Sequence, residues 1–101
     1  MEKIYNAFFH EAVRDFLSEL SRKDHSRIWG IVETMEAGDL HSPRTKTLRG
    51  PIKELIVKEY RILFFIHEHT IHFVRVFRKK SVKTPQKEIE YVERIYKMLL
   101  N

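Results

Sequence analysis

The side chains of this sequence best equipped for chemistry are cations. Arg75, Arg78, Lys79, Lys80, Lys83 and Lys87 gather near residue 80, and Arg44, Lys46, Arg49 and Lys53 form a second group upstream. Arginine offers phosphate a planar fork of donors and lysine offers a mobile point charge, so this set suits a phosphodiester backbone. A solvated face that keeps the domain soluble, or a dock for an acidic protein, would draw on the same residue types. The net charge of +5 is unevenly spread. Residues 44–87 carry twelve basic and three acidic side chains, while residues 1–43 carry five basic and eight acidic. One half of the chain therefore holds the excess, as a polyanion-binding face requires. Arg61 stands apart in an apolar run, where a guanidinium must either be paired, for example with Glu54 or Glu59, or face a groove.

Other chemistries find little support. With no cysteine, thiolate nucleophiles, thiolate metal sites and disulfides are all excluded, which suits a reducing cytoplasm. His67, His69 and His72 flank one expected hairpin, but no spacing such as H-E-x-x-H accompanies them, so they read as solvated strand-end residues and no metal is expected. Gly30, Gly38 and Gly50 are too widely spaced for a phosphate-cradling loop, and no G-x-S-x-G marks a nucleophilic serine. No cofactor is expected. Phe64, Phe65, Phe73 and Phe77 fall in strands, where packing explains them better than base stacking does. Glu2 and Glu11 interrupt the first dozen residues, unlike a secretory signal, and the uncharged run Ile62–Ile66 is far below the roughly 20 residues of a membrane-spanning helix.

The elements that must position these cations follow from periodicity. At 101 residues, 43% of them hydrophobic, the chain suits a single domain spanning 1–101. Lys3 to Asn6 can form a short first strand. Phe8, Phe9, Ala12, Val13, Phe16, Leu17 and Leu20 recur at helical spacing. Ser21 can cap a second helix, with Asp24 three residues on and Ile28, Ile31, Val32 and Met35 as its inner face, and Gly38 can end it. Together these make a helical hairpin. Asp39 to Thr47 reads as an irregular connection. Ile52–Val57, Tyr60–His67 and Thr70–Phe77 are rich in β-branched and aromatic residues and are separated by two residues each, which predicts an antiparallel meander with tight turns that lack glycine. Thr84 as cap and Pro85 at the first helical position would start a final helix whose apolar face is Ile89, Val92, Ile95, Tyr96 and Leu99. The expected class is α+β in the order β-α-α-β-β-β-α.

The stretch Leu48-Arg49-Gly50-Pro51-Ile52-Lys53-Glu54-Leu55, the strand Tyr60-Arg61-Ile62-Leu63-Phe64-Phe65 and the segment Phe77-Arg78-Lys79-Lys80-Ser81-Val82-Lys83-Thr84-Pro85, followed by Glu88-Ile89, resemble the phage-derived HigB-like branch of the RelE/ParE toxins. The resemblance covers about Leu48 to Ile95. It implies a compact toxin with two helices packed on an antiparallel sheet and a cognate helix-turn-helix antitoxin that binds it in a hetero-oligomer. Members similar to HigB and RelE cut messenger RNA in the ribosomal decoding site, whereas the ParE branch poisons DNA gyrase.

RNA cleavage of that kind has the ribose 2′-hydroxyl attack the adjacent phosphorus, which calls for a base, an acid for the leaving oxygen and cations for the added charge. The resemblance implies a catalytic role for Arg61, Lys79, Lys80 and Lys83, and RNA binding by Lys53, Arg75, Arg78, Arg49 and Lys46. The base is not identified at this level. The sequence departs from the family where Ile56 follows Glu54-Leu55, a position at which relatives commonly carry arginine, and the far C-terminal tyrosine or histidine of some relatives has no counterpart. Alternatives to an endoribonuclease that inhibits translation are thus a gyrase inhibitor without nuclease activity and an inactive antitoxin-binding module.

Overall fold

The computed structural model describes residues 2–80 and 82–101. Eight elements follow in the order β1 (Asn6–Phe9), α1 (Glu11–Ser18), α2 (Arg22–Glu36), β2 (Thr45–Arg49), β3 (Ile52–Val57), β4 (Tyr60–His67), β5 (Thr70–Arg78) and α3 (Gln86–Leu100). The sheet order is β1-β5-β4-β3-β2. Strands β3 to β5 form the expected antiparallel meander, β2 extends it antiparallel on β3, and β1 adds to β5 in parallel. The α+β class holds, with one strand more than the pattern predicts.

Alternation along the strands sorts side chains to two faces. Leu55, Val57, Tyr60, Ile62, Phe64, Ile71 and Phe73 meet Val13 and Leu17 of α1 and Ile28, Val32 and Met35 of α2. Ile52, Leu63, Phe65 and Val74 meet Val92 of α3, with Leu48, Phe77, Ile95 and Tyr96 packed around them. Helices therefore cover both faces, and the chain is layered helix, sheet, helix. A bulge at Val74 of β5, opposite Leu63 and Phe64, puts Val74 and Arg75 on the α3 face in succession.

Several local expectations are corrected. The first strand is Asn6–Phe9 rather than Lys3 to Asn6, because Asn6 to Phe9 pair with Thr70 to Phe73; Phe8 and Phe9 belong to that strand and not to α1. Thr45–Arg49, placed in an irregular connection, is an edge strand on β3. Thr84 does not cap α3: its hydroxyl donates to Glu54 Oε2, and Pro85 occupies the cap position. Its carbonyl accepts from Glu88 and Ile89.

Other local features stand as read. Ser21 accepts a hydrogen bond from the Asp24 amide at the start of α2. Gly38 follows α2 at φ 104°, and a Cβ there would lie 2.9 Å from Ile4, so the position requires glycine. The two glycine-free hairpins turn through Lys58 and Glu68, whose φ values are 54° and 57°.

Candidate nucleic-acid interface

A cavity of about 630 Å³ lies mainly on the α3 side of the sheet and reaches Phe16 and Val76, which pack against the α1-side core. Its floor follows from register. Ile56, Arg61 and Phe77 are neighbours across β3, β4 and β5, and Glu54 sits opposite Lys46 on β2. The Ile56 amide donates to the Arg44 carbonyl at 2.9 Å, which draws Arg44 against the same row. The segment after β5 and the start of α3 supply the far wall through Lys79, Lys80, Lys83, Thr84 and Lys87. The N-terminal end of α3 adds the positive pole of its dipole. Arg44, Lys46, Arg61, Arg78, Lys79, Lys80, Lys83 and Lys87 all line this cavity, and the carboxylates among its lining residues are Glu54 and Glu88.

Arg61 is held by its surroundings. Its Nη1 donates to the carbonyls of Lys58 and Tyr60, both at 2.9 Å, so the guanidinium is fixed at the β3–β4 turn. Among the described residues it forms no ion pair with Glu54 or Glu59. Lys79 and Lys80 are exposed, and the Lys79 amide is anchored on the Glu59 carbonyl at 2.7 Å. Backbone fixed and side chain loose is a suitable arrangement for gripping a flexible polyanion.

The remaining expected cations divide. Lys46 lines the cavity, as does Arg78, which pairs with Glu59 at 2.8 Å and lies over the Tyr60 ring. That pair is exposed at both ends, and an ion pair in water yields readily to a competing phosphate. Arg75 does not line the cavity: it makes two hydrogen bonds with Glu88, at 3.0 and 3.2 Å, and covers the Tyr91 ring. Arg49 is likewise outside, bonded to Gln86 at 2.6 Å and paired with Glu93 at 3.3 Å. Both tie the sheet to α3. Lys53 alternates onto the other face of β3 from Glu54 and is absent from the lining. Ser81, part of the motif that carries the family resemblance, lies outside the described residues.

The residue that sequence reasoning passed over is Glu54, considered only as a partner for Arg61. It is 4% exposed and hydrogen-bonded to Thr84. Its position two residues after the buried Ile52 in a strand with alternating faces was the available signal. Phe77 packs against the α3-side core as expected and also forms part of the cavity floor.

The histidines are also redistributed. His72 is not a solvated strand-end residue: it stacks on Phe65 and its Nδ1 lies 3.2 Å from His10 Nε2. Burial holds both imidazoles below the usual 6.5, and for His72 the neighbouring His10 and His67 add to the effect.

Residues 15–97 match the family model described as phage-derived protein Gp49-like. No curated protein matches the chain. Among solved structures, the chain resembles the archaeal RelE–RelB complex from Pyrococcus horikoshii, with a TM-score of 0.67 at 14% identity over 74% of this chain and 94% of the other. The RelB–RelE antitoxin–toxin complex from Methanococcus jannaschii gives 0.59 at 21% identity, covering 84% and 96%. The isolated RelE toxin of E. coli gives 0.57 at 17% identity, covering 90% and 98%. At these identities the likeness establishes a shared fold.

Proposed function

The chain belongs to the phage-derived Gp49-like family, a RelE-like toxin family, and from that premise we propose that it is the toxin of a type II toxin–antitoxin system that cuts messenger RNA on the ribosome. The observation that carries this reading is the convergence of cations from β2, β4, β5, the following segment and the start of α3 on one cavity. A transesterification by the 2′-hydroxyl places extra negative charge on a phosphorane, and preorganised cations in a partly enclosed site stabilise that charge more than mobile ones in water. Arg61, fixed by two carbonyls, suits that stabilising role, while Lys79, Lys80 and Lys83 suit the grip on flanking phosphates. RelE neighbours were solved bound to RelB, which supports an antitoxin partner; we assign the cognate partner a helix-turn-helix domain, the complex a hetero-oligomeric state and the site of action the cytoplasm. Among the described residues no helix is long and apolar enough to cross a membrane.

Inducing the protein in cells and mapping message ends tests this. Growth arrest with new 5′ ends inside translated messages is expected, and arrest with intact message rejects the assignment. One observation favours a second reading: Ile56, where relatives commonly carry arginine, lines the cavity and leaves an apolar patch beside Arg61. A gyrase inhibitor of the ParE kind needs a binding surface and no nuclease chemistry. Loss of supercoiling activity at toxic doses would select it; unchanged supercoiling would remove it.

A further inference from the structure

Glu54 is the one charged side chain buried in the described core, and it opens on a cavity lined by eight Lys and Arg side chains and one other carboxylate, Glu88. A buried carboxylate is stable when paired or fully hydrogen-bonded. Glu54 is neither: among the described residues no ion pair neutralises it, and the hydroxyl of Thr84 engages only Oε2. Yet no buried side-chain oxygen among the described residues is left without a partner. Oε1 is therefore not sealed in, and its outlet is the cavity that Glu54 lines. A carboxylate can accept about four hydrogen bonds, so Oε1 retains capacity to take a proton from whatever occupies the site.

The geometry points to Glu54 as the general base of the RNA cleavage proposed above, an inference that rests on that reading. The 2′-hydroxyl proton passes to Glu54 Oε1 and the 2′-oxygen bonds to phosphorus. The bond from phosphorus to the 5′-oxygen breaks, and that oxygen takes a proton from an ammonium on the cavity rim. The products are a 2′,3′-cyclic phosphate and a 5′-hydroxyl, after which Glu54 releases its proton to water and the lysine regains one. Thr84 holds the carboxylate in place from the segment that also carries the rim lysines. That bond joins the base to the segment that carries the phosphate grip.

The charge of Glu54 gives the test its sign. Replacing a carboxylate inside a cationic cavity by a neutral amide cannot weaken attraction for phosphate, so Glu54→Gln is expected to bind RNA as tightly as wild type or more so. It should nevertheless cleave ribosome-bound message on the order of 10²–10⁴-fold more slowly, the usual share of a general base. Glu54→Asp should recover part of the rate that the amide loses, and Thr84→Val should lose about tenfold at most, since it leaves the carboxylate present. Cleavage by Glu54→Gln within about threefold of wild type overturns the assignment, as does a parallel loss of cleavage, RNA binding and melting temperature, which would mark a structural residue. If Glu54→Gln does not fold, the wild-type pH profile decides: the rate must rise about tenfold per pH unit at its acid end, and a flat profile contradicts a carboxylate base. Wild-type protein that cuts no ribosome-bound message at all would instead reject the ribonuclease reading, seen before any variant is compared, and this inference with it.

Discussion

The face of the sheet under α1 and α2 is closed by apolar side chains from both helices, whereas α3 covers only part of the opposite face. On the closed side Phe73 stacks against Phe9 and packs on Phe64. On the other side the row Ile56, Arg61 and Phe77 is left to line a cavity. The same strands build both surfaces, and their alternation lets one face stabilise the fold while the other carries charge. A domain this small cannot devote much core to function, so dividing the labour between two faces of one sheet is an economical solution. Charge is sorted in the same way. Arg49 and Arg75 serve as struts to Glu93 and Glu88 of α3, while Lys46, Arg61, Lys79 and Lys80 turn toward the cavity.

The contrast can be broken most severely from the closed side. Phe73→Ala removes a fully buried ring and is expected to cost about 3–5 kcal/mol, enough to unfold much of the population, as read by urea denaturation. The open side should respond in the opposite manner. Lys79→Ala with Lys80→Ala should leave stability within about 0.5 kcal/mol of wild type, yet abolish growth arrest. Each lysine that contacts a phosphate contributes about 0.7 to the slope of log affinity against log salt for a single strand. The double variant should therefore flatten that slope by about 1.4, measured by fluorescence anisotropy. A destabilised double variant would show that the open face is structural after all.

A subtler contrast lies in pH. Hydrogen bonds from Tyr60 and Lys58 hold the Asp24 carboxyl below its ordinary 3.8, and the same bonds raise the Tyr60 phenol and the Lys58 ammonium. Because the folded state prefers ionised Asp24, its contribution is complete above pH 3.8 and is lost as pH falls through the lower folded value. Thermal melts should show this acid loss in wild type and a weaker one in Asp24→Asn, with toxicity unchanged. The smallest effect belongs to the hairpin turn. Glu68 sits at φ 57°, a conformation that costs an L-residue about 1–2 kcal/mol, partly offset by the greater unfolded entropy of glycine. Glu68→Gly should gain under about 1 kcal/mol, visible as a slightly higher denaturation midpoint.

Elements set by local pattern were legible in the sequence. Strands β3 to β5 are runs of β-branched and aromatic residues, and α2 carries its own serine cap, so each announces itself without a partner. What failed depends on distant contacts. β2 is a polar edge strand, Thr45-Lys46-Thr47, whose only signal is its pairing with β3. Phe8 and Phe9 fit a helical stripe, but hydrogen bonding with β5, more than 60 residues away, makes them strand. The site divides along the same line. A cluster of cations is visible by composition, and nothing in composition tells Arg75, tied to Glu88, from Lys80, which turns toward the cavity. Thr84 looked like a cap because a helix follows it, and its hydroxyl is drawn away by Glu54, thirty residues earlier.

The proposed activity depends on which face of the sheet meets the polyanion. Titrating isotope-labelled protein with a short single-stranded RNA, its 2′-hydroxyls methylated to prevent cutting, and following amide and side-chain resonances would show this directly. Shifts concentrated at Arg61, Lys79, Lys80 and Thr84, with Trp29 and Val32 of α2 unmoved, are the expected result. Shifts centred on α1 and α2, or spread evenly over the surface, would contradict it.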